Sequence, residues 1–307
     1  MNKTLNTQIL RQKAAELGFI GVGISKAEEL TEEARLLEKW LNKNYHGEMQ
    51  YMENHFDKRI DPRKLVEGAK TVVSLLFNYY NPNSQADKAA PKISMYAYGE
   101  DYHEVIKARL KQLVEHLKSE IGDINGRVFV DSAPVMERVW AGRSGLGWVG
   151  KHTLLINRQN GSYFFIANLI SDVEFLEDSP IKDYCGTCDK CVVACPTQAI
   201  SREAKLLDAS RCISYFTIEY KKELPQELKN EFENWVFGCD VCQQVCPWNR
   251  FSKPHNEPAF APKNGLLDWS KSDWYEMTEE VFKTQFIKSA VKRTKYTGLR
   301  RNLDFLG

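Results

Sequence analysis

Cysteine is missing from the first 184 residues of this 307-residue chain, and long apolar runs are missing from all of it. No stretch approaches the ~18 consecutive apolar residues that a membrane-spanning helix needs. The N-terminus, MNKTLNTQILRQKAAELGF, has neither the apolar centre of a secretory signal nor a twin-arginine pair. A soluble, cytoplasmic protein with no membrane partner is expected. Net charge is nearly absent too: 42 Lys and Arg against 41 Asp and Glu leave +1. No global field draws the chain to nucleic acid or to a membrane, so any such attraction has to come from a local patch. Repeats of solenoid length are also missing.

What is present suffices for a core, at 43% hydrophobic and 11% aromatic residues. TLNTQILRQKAAELGF, TEEARLLEKWLNKNY and DYHEVIKARLKQLVEHLKSEI carry helical spacing, the second opened by Thr31 with acids behind it. FIGVGIS, KTVVSLLFNYY, KISMYAYG, RVFVD, HTLLIN and SYFFIANLIS read as strands. This alternation predicts an α+β, α/β-sandwich-like domain over residues 1–177. A cysteine-bearing domain follows over 178–250, then a partly irregular, mainly helical basic segment over 251–307. No dedicated interface is evident, so a monomer is expected.

All eight cysteines lie between Cys185 and Cys246, and such crowding in a cytosolic chain points to metal or redox chemistry rather than disulfides. CGTCDKCVVACP is the bacterial ferredoxin run, C-x2-C-x2-C-x3-C-P. Its first three thiolates wrap one cubane and the fourth serves the other. The partner run, CDVCQQVCP, is one cysteine short, and Cys212 can complete it. Cys185, Cys188, Cys191 and Cys246 are assigned to one [4Fe–4S] cluster, and Cys195, Cys212, Cys239 and Cys242 to a second, in a ferredoxin-like two-cluster domain. The competing metal is zinc in two four-cysteine sites.

GLGWVGKHT, from Gly145 to Thr153, nearly spells two nucleotide motifs. A dinucleotide fingerprint should follow a strand and open a helix; here the order is inverted. In the phosphate-loop reading, His152 replaces the magnesium-binding hydroxyl. A glycine turn at a helix C-terminus explains the stretch, as does close backbone approach to a flat polar ligand. Asp131 ends an apolar strand, where burial is expected to raise its pKa and keep it protonated, or else it caps the next helix. From Lys283 to Arg301 the chain carries seven basic residues and no acid, with Phe286 and Tyr296 interleaved. That pattern suits RNA phosphates and unpaired bases, or simply a solvated helix.

DSAPVMERVWAGRSGLGWVGKHTLLIN, GEDYHEVIKARL, CISYFTIE, FGCDVCQQVCPWN and GLRRN together resemble the epoxyqueuosine reductase family over nearly the whole chain. The resemblance implies a cobalamin-binding N-terminal domain related to reductive dehalogenases, fed by the two clusters and an external low-potential donor. It implies two-electron deoxygenation of epoxyqueuosine at the tRNA wobble position, giving queuosine. Asp131 then matches the catalytic acid. Gly147, Gly150, Lys151, His152, Asn157, Ser214 and Tyr215 become candidates for the corrin pocket. Tyr102, His103, Thr217, Glu219, Lys292, Arg293, Lys295, Arg300 and Arg301 become candidates for substrate and tRNA. Tyr102 and His103 also suit inward packing at a helix start, and a short strand at CISYFTIE accounts equally for Tyr215 and Thr217. Some family members continue into a helical-repeat domain, where this chain stops at LDFLG. The competing functions are a corrinoid dehalogenase acting on a small molecule and a non-catalytic two-cluster electron carrier.

Overall fold

A computed structural model describes residues 2–202 and 205–307. Its centre is a four-stranded antiparallel sheet, in the spatial order Gly21–Lys26, Thr71–Asn78, Phe164–Ser171, Gly126–Phe129. Side chains alternate across a strand. Val73, Leu75 and Phe77 therefore join the core under helices Lys3–Glu16 and Tyr102–Ile121. Val72 and Leu76 face the other way, toward Trp140 and Ala141 of helix Glu137–Arg143. Cover on both faces explains why residues 72–77 are nearly all apolar. The exception is Ser74, which accepts a hydrogen bond from Asn168 Nδ2 at 2.8 Å, both residues fully buried.

Two features of this layer position the site. Helix Tyr102–Ile121 buries Ile106, Leu110, Leu113 and Leu117, each worth roughly 1.5–3 kcal/mol. Its N-cap Asp101 accepts from the His103 N–H at 3.0 Å, which fixes where Tyr102 and His103 emerge. On the other face, a side chain at Gly23 would collide with Ser144, so glycine lets the end of helix Glu137–Arg143 sit directly on the sheet. The GLGWVGKHT loop leaves from that point.

Several elements differ from expectation. KISMYAYG is a strand only at Lys92–Ile93, which pairs in parallel with Trp235–Phe237, then turns through Met95–Ala97. HTLLIN is strand only at Leu155–Ile156, paired with Trp148–Val149. CISYFTIE is not a strand but the helix Ile213–Ile218, opened by Cys212 in extended conformation. Thr31 does not cap its helix; Leu30 holds the cap position, and Glu32 and Glu33 meet the N-terminal dipole instead.

The C-terminal segment is docked rather than loose. Ile93, Ala97, Val236, Phe237, Trp274, Phe282, Phe286, Leu299 and Leu303 form one core, so residues from all three sequence segments interleave. Within helix Lys295–Leu306, the Arg301 guanidinium donates to the carbonyls of Phe216, Tyr220 and Lys222. Asn302 Nδ2 donates to the carbonyls of Thr217 and Val236, both at 2.9 Å, and is 1% exposed. Phe286 is 1% exposed between Trp274 and Phe282, so it has no free face for a base. An Asn302→Leu variant strands two buried carbonyls and is expected to lose about 2–4 kcal/mol in denaturant unfolding.

Candidate active site and metal centres

The cysteines gather into two cavities. Cys185, Cys188, Cys191 and Cys246 line a cavity of about 80 Å³, with Lys151, His152, Ile156 and Trp248. Cys195, Cys212, Cys239 and Cys242 line a larger one of about 290 Å³. Burial first, and the neighbouring thiols second, push Cys191 up to about 11 and Cys242 well above the ordinary thiol range. Four thiolates are therefore held together only by a strongly cationic core. The second set has protein donors waiting: the Ala199 N–H reaches Cys195 Sγ at 3.3 Å.

The larger cavity runs beyond its cysteines. Ser214, Tyr96, Arg138 and the apolar side chains Leu154, Leu155, Phe164 and Ile166 also line it. Tyr96 meets Tyr102 edge-on at 6.0 Å, so this lining adjoins a cluster of ionisable groups around Asp131.

Asp131 follows the strand Gly126–Phe129 in left-handed backbone conformation, φ 55°, a costly geometry for a residue other than glycine. Its N–H donates to Glu137 Oε1 at 2.9 Å. Its carboxylate Oδ2 accepts from the Tyr102 hydroxyl at 2.6 Å and lies 3.5 Å from His103 Nε2. Tyr102 is held flat between His103 and Phe165, each with ring centres 4.1 Å away. His103 Nδ1 meets Asp101 at 2.7 Å.

These contacts reverse the expected ionisation of Asp131. Burial does push its carboxyl up, but hydrogen bonds from His103 and Tyr102 and the charges of His103 and Arg293 outweigh it, leaving Asp131 below the usual carboxylate range. The retained protons sit next door. Burial opposes charge on His103, yet Asp101 and Asp131 raise it to about 9. Burial, then the Asp131 charge, raises Glu137 to about 8. Glu137 and Arg138 were not singled out in the sequence, although both lie within DSAPVMERVWAGR, six and seven residues past Asp131.

The other candidates divide. Ser214 lines the larger cavity, Lys151 the smaller, and His152 both. Tyr215 points elsewhere, its hydroxyl accepting from the Glu48 N–H at 2.9 Å. Thr217 is fully buried, donating to the Ile213 carbonyl and accepting from the Gly238 N–H. Asn157 is spent on its own turn and on the Leu146 carbonyl. Side chains at Gly147 and Gly150 would collide with Ile156, so hairpin packing by itself accounts for glycine at both positions. Glu219 pairs with Arg293 at 2.7 Å, and Arg293 contributes positive charge at Asp131. Lys292 and Lys295 are exposed. Arg301 is half-buried on backbone carbonyls, and Arg300 binds the Tyr275 carbonyl and Asp304. Among the described residues no helix is long and apolar enough to cross a membrane.

Comparison with known proteins agrees with this arrangement. The family described as "Epoxyqueuosine reductase QueG, DUF1730" matches residues 59–132, and the "4Fe-4S double cluster binding domain" matches residues 184–249. An epoxyqueuosine reductase of Cellulophaga algicola is 59% identical over 304 residues, 99% of each chain. A crystal structure of an epoxyqueuosine reductase with an epoxyqueuosine-modified tRNA-Tyr stem loop superimposes with a TM-score of 0.86 at 28% identity, over 97% of this chain and 80% of that one. A reductive dehalogenase, whose structure was used to suggest a mechanism for B12-dependent dehalogenation, shares the fold at a TM-score of 0.53 and 18% identity, over 98% of this chain and 38% of that one. With relatives this similar along its whole length, the chain belongs to the epoxyqueuosine reductase family.

Proposed function

We propose that this protein removes the epoxide oxygen of epoxyqueuosine in tRNA, giving queuosine. The observation that carries the reading is the larger cavity, which joins a four-cysteine set to the margin of the Asp131–Tyr102–His103 cluster. The reaction balances as epoxide plus two electrons plus two protons, giving an alkene and water. No side chain supplies the electrons. The two cysteine sets hold [4Fe–4S] clusters, which accept single electrons from an external low-potential donor. The apolar walls formed by Leu154, Leu155, Phe164 and Ile166, with polar groups of Ser214 and Arg138 among them, suit the flat body and polar rim of cobalamin. When bound, cobalamin supplies a strongly reducing metal centre for the carbon–oxygen bond.

The side chains manage protons. Asp131, ionised at rest, takes a proton from the charged His103 and passes it to the departing oxygen, while the Tyr102 hydroxyl, which burial and the Asp131 charge keep protonated, holds the same carboxylate oxygen in place. His103 is positively charged at neutral pH, and Glu137 is neutral there. Asp101 holds the His103 ring. Arg293, fixed by Glu219, adds positive charge beside Asp131, and the exposed Lys292 and Lys295 face tRNA phosphate. We read the protein as a monomer working in the cytoplasm, where tRNA is found.

The founding test is nucleoside mass after turnover of epoxyqueuosine-containing tRNA with anaerobically reconstituted protein. Loss of one oxygen that depends on added cobalamin is expected; no loss with intact clusters and bound corrin sinks the reading in favour of a dehalogenase-like reductase. Asp131→Asn is expected to lower kcat by about 10²-fold or more while iron content stays constant. Raised pKa values mean protons held below, and lost above, about 8 to 9. A kcat/KM profile is therefore expected to fall as pH rises through that range. Lys292→Glu with Lys295→Glu is expected to weaken tRNA binding and flatten its salt dependence by about one unit of slope per lost contact, with unchanged unfolding.

A further inference from the structure

The loop GLGWVGKHT is not absorbed by the catalytic reading. Its glycines pack against Ile156, and its two aromatic N–H groups lie on residues beside the smaller cavity, Trp148 through Cys185 and His152 as a lining residue. Trp148 is 4% exposed, wedged edge-on against Tyr184 and Trp248, and its Nε1–H donates to Cys185 Sγ at 3.4 Å. His152 is 3% exposed and lines the same cavity. His152 Nδ1 accepts from the Leu154 N–H at 3.2 Å, which puts the proton on Nε2. That Nε2–H is buried and has no partner in the protein. A buried donor left unpaired costs about 1–3 kcal/mol, so its partner belongs to whatever fills the cavity.

We propose that Trp148 Nε1–H and His152 Nε2–H are hydrogen-bond donors to the sulfurs of the cluster held by Cys185, Cys188, Cys191 and Cys246, and that they set its reduction potential. The inference rests on the reading that this cysteine set holds a [4Fe–4S] cluster. An N–H···S bond is stronger when the cluster carries the extra electron, because charge on sulfur has grown. Such bonds therefore favour reduction and raise the potential. Through this loop the sheet domain tunes the electron supply of the domain that follows it. Trp148 reaches only Cys185 of the first set, so its effect is confined to one of the two clusters, whereas His152 also lines the larger cavity.

The test is a dithionite titration of reconstituted protein, followed by EPR, with iron and sulfide measured on each sample. Trp148→Phe keeps the ring and removes the donor. One cluster is expected to become about tenfold harder to reduce, which is ~59 mV for one electron, while the other stays within twofold. His152→Phe is expected to move the same cluster in the same direction. A second measurement is pulsed EPR after exchange into deuterium oxide: exchangeable hydrons coupled to the same cluster are expected in the unaltered protein, one of them absent in Trp148→Phe. Unchanged potentials with full iron, or no coupled hydron in the unaltered protein, overturn the inference alone. Unaltered protein that takes up no iron overturns the cluster reading beneath it, and the inference with it.

Discussion

Eight thiols in two enclosed sets are the constraint on which the rest of this structure depends. Buried thiolates repel one another and lose their hydration, which is why Cys191 and Cys242 are driven so far from ionisation in the protein alone. An iron–sulfur core reverses that balance by supplying positive charge to every sulfur at once. The surrounding chain has little regular structure of its own: helices Lys190–Ala194 and Val241–Gln244 are one turn or so long. Its order therefore comes from the inorganic core at the centre and from neighbours at the edge, and folding and cluster binding are linked.

The neighbours do their part through backbone carbonyls. Arg301 and Asn302 tie the last helix to the carbonyls of Phe216, Thr217, Tyr220, Lys222 and Val236. Those residues flank Cys212 and Cys239 in the sequence, so the tail anchors the chain on either side of two cysteines of the second set. The parallel pairing of Lys92–Ile93 with Trp235–Phe237 acts from the opposite side. The cysteine region is thus clamped between segments that lie far apart in the chain, and the larger cavity is a product of that clamp.

How much of this was legible in the sequence depended on the range of the interaction. The cysteine grouping was legible because ligand spacing is a local property, and the two cavities collect the same two sets of four. Asp131 was legible as a strand-end acid, but not its charge. Its ionisation is decided by Tyr102 and His103, some 29 residues earlier, brought over by the packing of Tyr102 against Phe165. The CISYFTIE stretch alternates like a strand, yet burial of Tyr215 and Phe216 against Phe232, Trp235 and Phe305 favours a helix. In the basic tail, charge counting cannot separate an arginine that caps carbonyls from a lysine facing solvent. Arg301 and Lys295 look alike in sequence and differ in what lies within reach of their side chains.

Those same long-range contacts bring together the two supplies the proposed reaction needs. Removing an epoxide oxygen as water takes two electrons and two protons, and neither is useful without the other. Electrons have to arrive from the cysteine side of the larger cavity. Protons are stored on His103 and Glu137, beyond the Tyr96–Tyr102 contact, beside a carboxylate kept ionised so that it can accept as well as give. A permanently protonated Asp131 could donate once but could not draw a second proton from its neighbours. Holding the acid low and its partners high makes it a relay, and the strained backbone at Asp131 is what lets Glu137 bind its N–H while Tyr102 and His103 take the side chain.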